Sequence, residues 1–120
     1  MSTPKYFSVE RADDTMIFCA LASSGALVED ATRTEWDALL DSLDATDVKH
    51  AVIDLAALDY FGSIMLELFV VLWKRIAANG GKLALCNVSP VGVEILKTAK
   101  FDTLWPIAGD REQALEAVRS

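Results

Sequence analysis

Residues 51–76 read AVIDLAALDYFGSIMLELFVVLWKRI, and this stretch decides the fold. Its opening run, Ala51 to Leu55, is short and mainly apolar, the pattern of a strand buried on both faces. From Ile64 onward, apolar residues recur at helical spacing. On a wheel of about 100° per residue, Met65, Phe69, Leu72 and Ile76 share one face, with Leu68 and Trp73 at its flanks. The stretch therefore predicts a strand, a corner at Tyr60-Phe61-Gly62-Ser63, and a helix running to about Ala78. Asn79-Gly80-Gly81 supplies glycine just past the helix end.

Working outward, KYFSVE and TMIFCALA read as two strands joined by a hairpin at RADD. Thr32 with Glu35 three residues on fits a capping box. It opens a helix whose apolar positions include Trp36, Leu39, Leu40 and Leu43. After the 51–76 unit, KLALC is a strand. Ser89 is the expected N-cap of a helix with Pro90 at its first position. TLWPI reads as a short last strand, placed at an edge by Pro106. Asp110, with Gln113 three residues on, caps a final helix. Strands alternating with helices imply parallel neighbours and right-handed crossovers, preceded by one antiparallel pair. The expected fold is α/β, a single domain with a mixed β-sheet of about five strands and about four α-helices.

The chain has 120 residues, of which 52% are hydrophobic, enough for one domain with a real core. Acidic residues outnumber basic ones 18 to 11, for a net charge of -7. This balance argues against direct nucleic-acid binding, which calls for a basic patch. The two cysteines, Cys19 and Cys86, lie in apolar runs and read as small buried hydrophobes. Neither a disulfide framework nor a metal site has the spacing it would need. Reduced thiols, and an N-terminus without an apolar signal core, fit a cytoplasmic protein. The apolar stretch after Ile64 is broken by Glu67, Lys74 and Arg75, so no membrane span is expected. No motif calls for a cofactor.

Sites on sheets with parallel strands gather beyond the carboxyl ends of those strands, where the corner lies. Two readings of Ser63 share this geometry. As an N-cap, its hydroxyl would accept a bond from a free backbone N–H, and Gly62 would permit the turn. As a phosphoacceptor, it would place roughly -1.5 to -2 units of charge at a helix N-terminus, beside an apolar docking surface. A hydrolase reading fails, because Phe61 and Met65 occupy the glycine positions of a Gly-x-Ser-x-Gly elbow. The one histidine, His50, is expected to be a solvated loop residue at the opposite end of the strand, on the order of 20 Å away. The protein reads as no enzyme. The face of the 64–78 helix away from the core mixes Glu67, Lys74 and Ala78 with Ile64, Val70 and Val71. Those apolar residues are either covered by another element, or form a patch for a partner or for a second copy in a homodimer.

The VIDL strand, the serine opening the next helix, the Lys-Arg…Asn-Gly-Gly-Lys-Leu join, the Val-Ser-Pro helix start and Phe-Asp-Thr-Leu-Trp-Pro-Ile together resemble the STAS domain of bacterial anti-sigma-factor antagonists. In that family an anti-sigma factor with serine protein kinase activity phosphorylates the serine at this corner. The unphosphorylated antagonist binds the anti-sigma factor and frees the sigma factor. The resemblance implies Ser63 as phosphoacceptor, and a partner surface at Tyr60, Phe61, Ile64 and Glu67; Gly62 at the turn and Val71 on the outer face of the helix complete the candidate partner-binding residues. It also implies an acidic neighbour near the start of the first helix, Glu29 or Asp30. The family's usual corner reads Asp-Ser-Ser/Thr-Gly. Here it reads Gly62-Ser63-Ile64-Met65, which keeps the serine and loses the rest. An alternative role is a STAS scaffold or ligand-sensing interaction module that is never phosphorylated.

Overall fold

The computed structural model describes residues 7–20, 29–44, 47–58, 61 and 63–119; for residues 29–33, 44, 63 and 64 it describes the backbone alone. β1 (Phe7–Ala12) and β2 (Thr15–Ala20) form an antiparallel hairpin. β3 (His50–Asp54), β4 (Leu83–Cys86) and β5 (Ile107–Ala108) follow in parallel, so the sheet order is β1-β2-β3-β4-β5. Helices α1 (Glu29–Asp44), α2 (Ser63–Ala78) and α3 (Pro90–Thr98) connect β2, β3, β4 and β5 in turn. Helix α4 (Arg111–Arg119) follows β5. This is the expected mixed sheet of five strands with four helices.

Strand alternation sorts the core into two layers. Phe18, Ala51, Ile53, Leu83 and Leu85 face α1 and α2. Ile17, Val52, Ala84 and Cys86 face the other way, against Ala114 and Val118 of α4. All five residues of β3 are buried, as a central strand with helices on both faces requires. On the first face, the Trp36 ring packs on Phe7 and Phe18 at centroid distances of 4.6 and 5.2 Å. Its Nε1–H donates to the Leu68 carbonyl oxygen at 3.0 Å, which ties α1 to α2. The predicted core face of α2 is buried as read: Met65, Leu68, Phe69, Leu72 and Ile76 are each at most 2% exposed. Past the helix end at Ala78 the chain turns away at Gly80, whose φ of 78° is a left-handed conformation that glycine adopts without penalty.

Two cap assignments hold. The Ser89 hydroxyl accepts from Gly92 N–H at 3.0 Å, with Pro90 opening α3. The Asp110 carboxylate accepts from Gln113 N–H at 2.8 Å, and the Gln113 side chain accepts from Gly109 N–H at 3.1 Å. The capping box at Thr32 does not hold. Helix α1 begins at Glu29, so Thr32 stands inside it. The Glu35 carboxylate instead accepts the backbone N–H of Phe7, across from β1, at 2.8 Å. A tertiary acceptor role has replaced the local one. The last strand is also displaced: TLWPI supplies the end of a 3₁₀ turn (Phe101–Thr103) and the buried Trp105, and pairing is confined to Ile107–Ala108. The Pro106 carbonyl still joins the sheet, accepting Leu85 N–H at 2.9 Å, and β5 is an edge strand as expected.

His50 is not a solvated loop residue. It opens β3 and is 7% exposed, because the β4 approach folds over it. Its Nδ1 accepts the Lys82 N–H at 3.0 Å, which places the proton on Nε2, 3.8 Å from the Asp14 carboxylate. Burial pushes the His50 pKa below its usual value. Asp14 pulls it upward, while Lys49, Lys82 and Arg119 add to the depression. A depressed native pKa means that the unfolded chain binds the proton more readily. This contribution to stability is therefore full above the unfolded pKa of about 6.5 and is lost as pH falls through the lower native value. Thermal melts between about pH 7.5 and about pH 5.5 should show wild type losing stability, with a smaller loss in His50→Ala. Equal losses in the two proteins would rule out His50 as the source.

Candidate functional site at the carboxyl edge of the sheet

β3 ends at Asp54, and the chain turns at once: Leu55 N–H donates to Cys86 O, and Leu58 N–H to Leu55 O, both at 3.0 Å. The Asp54 side chain is 8% exposed. Its Oδ1 accepts from Ala56 N–H at 2.9 Å and from Asn87 Nδ2 at 3.2 Å. Its Oδ2 accepts from Arg111 Nε at 2.7 Å. The same guanidinium reaches Glu10 Oε2 through Nη1 at 2.6 Å and Cys19 Sγ through Nη2 at 2.8 Å. Burial alone would raise the Asp54 carboxyl. The bonds from Arg111, Ala56 N–H and Asn87 outweigh it and hold the group below the usual carboxylate range.

Nothing local in the sequence announces this cluster, since Asp54 and Arg111 are 57 residues apart. The register could have suggested part of it. Cys19, Asp54 and Cys86 are cross-strand partners on β2, β3 and β4. The two thiols flank the carboxylate and are separated by two strand spacings, roughly 9.5 Å, too far for a disulfide. Cys86 is fully buried, as expected, and burial pushes its thiol up to about 12. Cys19 departs from the expectation. It is only half-buried and touches the charged groups Arg111 and Glu10.

Past the turn, Phe61 is 2% exposed and meets Phe69 edge-to-face at 5.7 Å. It also lies against the first turn of α3. A Cβ on Gly92 would come within 3.0 Å of the Phe61 ring and 2.7 Å of Val88, so glycine is required there. Phe61 thus anchors the corner in the core instead of standing on the surface. Ser63 is the first residue of α2, inside the helix, whereas a capping side chain comes from the residue before, as Ser89 does for α3. Ile64 follows it. The side chains of Ser63 and Ile64, and those of Glu29 and Asp30 at the start of α1, lie outside the described residues, as do Tyr60 and Gly62 altogether. Glu67 and Val71 lie on the exposed side of α2, Val71 at 39%. Val70 is half-buried. Beside them a shallow groove of about 400 Å³ runs between α2 and α3, lined by Leu66, Val91, Glu94, Ile95, Thr98 and Ala99. Val91 on its rim is 53% exposed.

A family model described as the STAS domain matches residues 6–114, and the chain belongs to that family. Among solved structures, an anti-sigma-factor antagonist (STAS) domain protein from Planctomyces limnophilus is similar, with 30% identity, a TM-score of 0.81, and coverage of 95% of this chain and 98% of that one. A Bordetella bronchiseptica protein named as an anti-sigma factor antagonist, BtrV, is 26% identical over 113 residues, covering 94% of each chain. The phosphorylated form of the Bacillus cell fate determinant SpoIIAA shares the fold, with a TM-score of 0.70 and 18% identity over 94% of this chain and 99% of that one. Among the described residues, no group of His, Cys, Asp or Glu is arranged to hold a metal ion, and no helix is long and apolar enough to cross a membrane.

Removing the cation from the cluster leaves the Asp54 charge enclosed and unpaired. Arg111→Met should lower stability by about 2 kcal/mol, less than for a fully buried pair because Arg111 keeps one side in solvent. The midpoint of urea unfolding measures this. A midpoint equal to wild type would show that water replaces the guanidinium without loss.

Proposed function

We propose that the protein is a non-enzymatic anti-sigma-factor antagonist of the cytoplasm. In this reading it binds an anti-sigma factor that is also a serine protein kinase, and phosphorylation of Ser63 releases it. The observation that carries this reading is the position of Ser63 as the first residue of α2, beyond the carboxyl end of β3, in a chain of the STAS family. The first turn of α2 has no acidic side chain to compete for the helix N-terminus. A phosphate there meets the positive end of the helix dipole. It also adds charge next to the surface that a partner would have to dehydrate. The names of the relatives, and the existence of a phosphorylated SpoIIAA, support the same reading.

The docking surface is assigned to Tyr60, Gly62, Ile64, Glu67 and Val71, extended across the groove to Val91, with Phe61 fixing the corner from beneath. Glu29 or Asp30 supplies the acidic neighbour. A homodimer through Ile64, Val70 and Val71 would use the same face and so compete with the partner.

The test joins mass spectrometry of the protein from its native cells with affinity measurements on a candidate anti-sigma kinase. Phosphate on Ser63 that varies with growth conditions is expected. Ser63→Asp should weaken binding at least tenfold, since placing one uncompensated charge at an interface costs more than about 1.4 kcal/mol. Ser63→Ala should bind like wild type. Because Ser63 sits inside the helix, its removal should change stability by less than about 0.5 kcal/mol. Persistently unmodified Ser63 together with undiminished binding of Ser63→Asp would turn the assignment to a permanently docked STAS scaffold.

A further inference from the structure

We propose that Asp54, clamped by Arg111, is the positioning residue of the Ser63 corner, so that the seating of α4 sets the geometry of that corner. This rests on the reading of the corner as the regulated site and adds what controls it. Each donor to the Asp54 carboxylate belongs to a different segment. Ala56 N–H begins the loop that leads to Ser63. Asn87, held in a left-handed conformation at φ 55°, begins the loop that leads to the Ser89 cap of α3. Arg111 is the first residue of α4. The first two segments meet again at the corner, because Phe61 rests against Gly92 one turn into α3. One carboxylate therefore ties together the starts of the two segments that meet again where Phe61 rests on α3, two residues before Ser63.

The clamp has a lever. Arg111 also bridges Glu10 on β1, and Arg119 at the far end of α4 pairs with Asp13 in the β1–β2 turn at 3.2 Å. A shift of α4 along the sheet moves the guanidinium. The Asp54 carboxylate must then follow it or lose its cation. A half-enclosed ion pair adds little net stability, because Asp54 surrenders most of its hydration to form it. What it does supply is direction, since bonds to Ala56 and Asn87 allow the carboxylate few orientations.

Backbone amide exchange of the full chain, read residue by residue by NMR, tests this without a partner. The proteins compared are wild type, Asp54→Asn, Arg111→Met and Arg111→Lys. In Arg111→Met and Asp54→Asn the protection of Ala56 and Gly92 should fall about tenfold and the amide resonances of Phe61 and Ser63 should shift, while the protection of Phe69 and Leu72 of α2 and of His50 at the far end of β3 stays within about twofold. Arg111→Lys should recover part of the loss. In wild type the Ala56 protection should hold as pH falls through the usual carboxylate range, and in Arg111→Met it should fail within that range. Unchanged protection at Ala56 and Gly92 in Arg111→Met would overturn the proposal, and so would a uniform loss that includes Phe69 and His50. Either result is independent of whether Ser63 ever carries phosphate, which the mass measurement decides on its own.

Discussion

β3 has no free side. Its neighbours β2 and β4 take its backbone hydrogen bonds, and helices cover both of its faces. Such a strand accepts a charged side chain only where the charge can be neutralised, because an isolated carboxylate in that setting would cost several kcal/mol. Asp54 stands at the one place where this can be arranged, the last residue before the chain leaves the sheet. The rest of the carboxyl edge is organised around that requirement. A cation must come from the helix on that face, the adjacent loop must bend so that Ala56 N–H points back, and Asn87 must take an unusual backbone angle to complete the set.

This arrangement divides the molecule into two unequal layers. The α1–α3 face carries the corner, the exposed strip of α2 and the groove beside α3. The α4 face is small: two buried side chains of α4, Ala114 and Val118, meet short residues of the sheet such as Ala84 and Cys86. Short side chains let the helix lie close to the strands, which brings Arg111 within reach of Asp54. A bulkier residue at Ala84 would lift α4 and lengthen that contact.

Much of the fold was legible because it is written locally. The element order, the core face of α2, the edge placement of β5 and the caps at Ser89 and Asp110 each depend on residues within a few positions of one another. The misreadings share one cause. Glu35, His50 and Cys19 carry local patterns that fit a cap partner, a loop residue and a core thiol. Each is instead claimed by a group far away in sequence: Phe7 N–H, Lys82 N–H and Arg111. The STAS resemblance points to the corner and its serine. It gave no sign of the Asp54–Arg111 contact beneath them, because that contact is a property of register and helix docking.

The paired elements of the sheet are neighbours in the chain, so each new strand can add to those already formed as soon as it appears. Helix α4 is the exception. It closes contacts spanning 101 residues to Glu10 and 106 residues to Asp13. During synthesis the face of the sheet that holds Ile17, Val52 and Ala84 lacks its helix until residues 111–119 have been made. The growing polypeptide spends that interval as a finished layer with a sticky back. Chaperone capture and premature association should concentrate there, and a chain cut short before α4 should be recognised by the same exposed face.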